Sequence, residues 1–72
     1  MSDRIRAGDV GVWDGSLYNY AVLVFISVSD DQMIVHSYDE EFAPQVQILS
    51  RGAEGRAWAD KDQWEGSGWR FL

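Results

Sequence analysis

The ten residues from Asn19 to Val28 (NYAVLVFISV) constrain this chain more than any other segment. Ala21, Val22, Leu23, Val24 and Phe25 are apolar in succession, so neither face of the segment suits water. Length alone would allow a helix. The β-branched and aromatic content, with polar turns at both ends, selects a strand instead, and apolar residues on both faces make it a central, long and bent one. Ser29-Asp30-Asp31-Gln32 follows as a turn, and Met33 to Tyr38 (MIVHSY) then returns beside it. The short spacing predicts an antiparallel hairpin.

The flanking segments are shorter and read the same way. Asp9 to Asp14 (DVGVWD) alternates, with Val10, Val12 and Asp14 on one face and Gly11 and Trp13 on the other, before the turn Asp14-Gly15-Ser16. Val46 and Ile48 alternate with Gln47 and Leu49, and Pro44 is tolerable because it precedes that strand. Gly52 and Gly55 interrupt the pattern. Residues 57–64 read either as one or two helical turns, with Trp58 and Trp64 roughly on one face, or as a loop. After Gly66-Ser67-Gly68, Trp69 to Leu72 suits a closing strand whose Trp69 and Phe71 point the same way. The expected fold is all-β and mainly antiparallel: a small SH3-like barrel of four to five strands with room for one short helix near residues 57–64. Closure would hide strand edges. An open antiparallel sheet with one helix is the alternative.

Seventy-two residues make a single domain, 1–72, with one core. Four Trp, three Tyr and three Phe give it large rigid side chains to bury. With no cysteine there is neither a disulfide framework nor a thiolate metal site, so a reducing cytosol is the expected compartment. Stability then rests on packing, with a homodimer as a further source. No run approaches the ~18 apolar residues of a membrane span, and no basic segment leads into an apolar one at the N-terminus.

Charge is segregated along the chain. Asp9, Asp14, Asp30, Asp31, Asp39, Glu40 and Glu41 lie between Asp9 and Ser50 without one Lys or Arg, and all six cations lie outside that stretch. Because the same stretch holds every expected strand but the closing one, the acids must decorate the loops and outer face of the sheet, giving a field that attracts cations and basic proteins. Direct nucleic-acid binding is disfavoured, since Arg51, Arg56, Lys61 and Arg70 are spread over a tail with its own acids. Calcium would need an Asp-x-Asp-x-Asp-Gly spacing with a Glu at the twelfth position, which is missing. His36 is the sole histidine, and Ser37 beside it in a strand points to the other face, so no Ser–His pair forms there. No catalytic, metal or cofactor motif remains, and the chain reads as a non-enzymatic binding protein.

Trp13-Asp14-Gly15-Ser16-Leu17-Tyr18-Asn19-Tyr20-Ala21-Val22, followed by Met33-Ile34-Val35-His36-Ser37-Tyr38-Asp39, resembles the Tudor branch of the SH3-like barrels over roughly residues 9–50. The resemblance implies an aromatic cage of Trp13, Tyr20, Tyr38 and Phe42, with Asp39 as its acidic wall, reading a methylated or basic peptide. Glu40 and Glu41 stand where that branch usually has Gly, and Phe42 where it has Tyr.

A second expectation comes from charge. Asp30, Asp31, Asp39, Glu40 and Glu41, anchored by Trp58 and Trp64, would cover a basic surface on a partner protein, occupying positions that phosphates otherwise take. Small acidic cysteine-free proteins of this style resemble phage-encoded inhibitors of host defence, such as anti-CRISPR proteins.

Overall fold

In the computed structural model the apolar run forms β2 (Ala21–Val28), and it lies at the centre of the sheet. Residues 3–13, 21–39, 43–53 and 55–72 are described, Arg56 for its backbone alone. The other strands are β1 (Val10–Trp13), β3 (Gln32–Asp39), β4 (Gln45–Ser50) and β5 (Trp69–Phe71). They pair antiparallel in the order β4-β3-β2-β1-β5. A 3-10 turn at Gly55–Ala59 and the short helix α1 (Lys61–Glu65) stand between β4 and β5.

The bend expected in β2 has a local cause. Its pairing with β3 runs Phe25↔Val35 and then Ser27↔Ile34, so Ile26 is an extra residue in a β-bulge. The extra residue resets the alternation. Leu23 and Phe25 face one side before the bulge, and Val28, paired with Met33, returns to that side after it. The turn beyond is closed by the Ser29 N–H donating to the Gln32 carbonyl at 2.8 Å and by the Ser29 hydroxyl donating to Asp31 Oδ1 at 3.1 Å.

One face of the sheet carries the core: Leu23, Phe25, Met33 and Val35 are buried there, under Ile5, Trp58 and Ala59. Phe25 is 0% exposed. It meets Trp64 edge-on at 5.5 Å and Phe71 at 5.9 Å. The covering layer is fastened by backbone bonds, from the Ile5 N–H to the Ala59 carbonyl at 2.8 Å and from the Lys61 N–H to the Asp3 carbonyl at 2.9 Å. Arg4 adds a 3.4 Å ion pair to Asp60.

The class is all-β with one short helix, but the sheet is not a closed barrel. Among the described residues β4 and β5 are its two edges, and β5 pairs with β1 alone. The 3-10 turn and α1 occupy the side of the core toward which the sheet would have to curl, so the open sheet with one helix is what forms. The closing strand itself is as expected, with Trp69 and Phe71 half-buried and Arg70 exposed.

Gly11 sits against three aromatic rings of this layer. A Cβ there would lie 3.4 Å from Trp69 Cε3 and 3.5 Å from both Phe25 Cε2 and Phe71 Cε1. A methyl group fits at contact distance and a branched side chain does not. Gly11→Leu is therefore expected to lower stability by about 1–3 kcal/mol through overpacking, while Gly11→Ala stays close to wild type. Urea unfolding of the two variants side by side checks this, and equal midpoints would contradict the packing.

Candidate interaction surface

The described acids differ in how far the fold covers them. Asp9 belongs to the fold: its Oδ2 accepts the Arg6 N–H at 2.8 Å and lies 3.4 Å from Lys61 Nζ, and the ammonium stands 5.3 Å from the Phe71 ring centre. Asp60 is engaged by Arg4. Asp30 and Asp31 are exposed at the turn of the β2–β3 hairpin, and Asp39 is exposed at the far end of β3. Eight strand residues separate these ends by about 26 Å. The Arg51 N–H donates to the Asp31 carbonyl at 2.9 Å, and Arg4 and Arg6 line a groove with Ser29 and Asp30, so cations stand beside the turn. At the Asp39 end the next residues in sequence, Glu40 and Glu41, are acids as well. Those two, with Asp14, lie outside the described residues.

Between the acidic ends runs the second face of the sheet, and it is largely apolar. Cross-strand register sets Val10, Val24, His36 and Val46 in one row, Val12, Val22 and Tyr38 in another, and Ile34 and Ile48 in a third. Val12 is buried, whereas Val46 and Ile48 are 63% and 62% exposed and Tyr38 is exposed. The Tyr38 hydroxyl lies 3.1 Å from His36 Nδ1, with the two rings 4.5 Å apart, so this pair is held as a unit. Residues directly opposite in an antiparallel ladder share a face. Arg70, opposite Val12, places a cation on this face at its β5 margin.

The cage implied by the Tudor resemblance is not assembled by its described members. Tyr38 pairs with Val22, and Val22 with Val12, whereas Trp13 pairs with Ala21 and Trp69. Trp13 and Tyr38 therefore lie on opposite faces. Trp13 packs toward Trp69, at 6.3 Å between ring centres. Tyr20 and Phe42 lie outside the described residues. Asp39, the expected acidic wall, stands opposite Ala21, on Trp13's side of the sheet rather than Tyr38's.

Of the two tryptophan anchors, Trp58 is placed inside the fold. Trp58 is 5% exposed and belongs to the core, so its indole cannot meet a partner in the folded chain. Trp64 is half-buried: its Nε1 donates to the Trp58 carbonyl at 2.6 Å and its ring meets Trp69 at 5.5 Å. With Gln63, Ser67 and Trp69 these two residues line a cavity of about 290 Å³. Trp58 Nε1 is buried without an acceptor among the described residues, a cost of about 1–3 kcal/mol carried by the core. Trp58→Ala is therefore expected to act through stability, lowering it by roughly 3–5 kcal/mol, which thermal unfolding measures. Unchanged unfolding would return Trp58 to the surface.

Sequence reasoning missed the row residues Ile34, Val46 and Ile48 as surface candidates. The signal was present in the alternation of Val46 and Ile48 with Gln47 and Leu49: Leu49 is half-buried against the core, which turns Val46 and Ile48 outward. Among the described residues no three His, Asp or Glu side chains come together as a metal site, and no helix is long and apolar enough to cross a membrane. Comparison with protein-family models, curated proteins and solved structures finds no match to this chain.

Proposed function

We propose that this chain is a non-enzymatic, cytosolic interaction module that docks its acidic hairpin onto a basic surface of a partner protein. The observation that carries the reading is the arrangement of β3, with Asp30 and Asp31 before it, Asp39 at its end, and Ile34, His36 and Tyr38 facing outward between them. Charge at the two ends selects a cationic partner and speeds encounter. The apolar strip supplies desolvated contact, which an acidic rim alone does not. In this reading Tyr38 and Ile34 replace Trp58 and Trp64 as anchors.

A partner that handles nucleic acid fits the charge best, because carboxylates held on a sheet can stand where phosphates bind. The chain would then act by occlusion, in the manner of a phage-type, anti-CRISPR-like inhibitor. The cage-reader alternative is not favoured by the opposite placement of Trp13 and Tyr38. Competition tests the proposal: a basic protein captured on the immobilised chain from its native cell extract should be released by added DNA or RNA. Release by neither nucleic acid nor salt would contradict occlusion.

A further inference from the structure

We infer that β4 is a self-association edge, through which two copies of this chain join into a continuous antiparallel sheet. β4 ends the strand order, and among the described residues no strand lies on its outer side. Such an edge presents backbone donors and acceptors to any strand of suitable register, and monomeric proteins ordinarily blunt it with charges, bulges or inward-facing Lys. β4 has none of these. Its six residues, Gln45-Val46-Gln47-Ile48-Leu49-Ser50, carry no charge, its register with β3 is unbroken, and five of them are exposed.

The occupant is a second copy because the strand is complementary to itself. Pairing about a two-fold axis at Gln47 sets Val46 of one copy opposite Ile48 of the other, twice. All four aliphatic side chains then lie on the same outer face. A shift of one residue would instead set Val46 against Leu49, which faces the core, so parity rejects it. A shift of two loses both Val–Ile pairs, leaving one Ile48–Ile48 or Val46–Val46 pair and setting the other aliphatic against Ser50 or Pro44. The association is isologous, so it closes at two copies and leaves the β3 strip and both acidic ends of each hairpin clear of the seam.

Sedimentation equilibrium of the whole chain tests this. At about 100 μM the expected mass is twice 8.2 kDa, since that concentration fills any dimer with Kd below about 10 μM. Val46→Lys/Ile48→Lys places like charges across the seam at positions already exposed, so the fold should survive by circular dichroism while dimer affinity falls at least about 100-fold. Asp30→Lys/Asp31→Lys should leave the dimer intact, which separates this inference from the docking reading. A monomer at every concentration would overturn it, and so would a dimer unaffected by the seam lysines.

Discussion

Phe25→Ala is expected to lower the melting temperature by at least about 15 °C. The ring is fully buried at the centre of the sheet and is the point where β2, α1 and β5 meet, through Trp64 and Phe71. Removing it costs roughly 3–5 kcal/mol, because the surrounding rings cannot collapse into the space. A 72-residue domain has on the order of 4–11 kcal/mol in all. Each kcal/mol shifts a domain of this size by about 4–8 °C. The loss should also be visible in tryptophan emission, since Trp64 contacts the deleted ring. A shift of only a few degrees would mean that the layer of Ile5, Trp58 and Trp64 is held without the sheet.

The second large effect concerns docking. Reversing Asp30, Asp31 and Asp39 together to Lys is expected to weaken binding to the basic partner at least about 100-fold. Each reversal replaces an attraction by a like-charge contact, and such juxtapositions cost several kcal/mol where the interface excludes water. All three residues are exposed in the folded chain, and the Ser29 hydroxyl bond to Asp31 is an exposed one, so stability should fall by no more than about 1–2 kcal/mol. Titration calorimetry with the captured partner measures the affinity, and thermal unfolding confirms the fold. Tyr38→Ala should weaken the same binding while leaving salt dependence unchanged, because it removes contact area and no charge. If the triple reversal bound as tightly as wild type, the acidic hairpin would have no part in recognition.

Much of this fold was legible because local signals agreed with one another. The turn at Ser29–Gln32 closes where the polar residues predicted, and β3 and β4 extend only one residue beyond each predicted end. The Trp69–Phe71 strand was readable from its alternation and from the glycines before it. Relative placement stayed hidden. Alternation says that Trp13 and Gly11 share a face, and that Tyr38 and His36 share one, but not whether the two faces coincide. Only the register, through Val12, Val22 and Tyr38, decides that, and it sets Trp13 and Tyr38 on opposite faces.

The burial of Trp58 was hidden for a similar reason. Its position depends on the bond between Ile5 and Ala59, residues that are distant in sequence and carry no local mark of their pairing. Barrel closure likewise depended on whether the segment after β4 would add a strand or cover the core. Gly52 and Gly55 announce a break there without specifying the next element. The charge segregation, by contrast, is weaker in the fold than along the chain, because Lys61 reaches Asp9 and Arg4 and Arg6 line a groove with Asp30. Asp9 is drawn into the fold by Lys61 and Arg6, whereas Asp30, Asp31 and Asp39 stay exposed at the hairpin ends.

The most direct test of the docking account is the affinity of the wild-type chain for its basic partner as salt is raised from about 0.1 M to about 1 M, where the Debye length falls from ~10 Å to ~3 Å. The account predicts at least a tenfold weakening, while the β4 dimer, held by backbone bonds and aliphatic contacts, persists across the same range. Affinity that stayed flat or rose with salt would contradict recognition by the acidic hairpin.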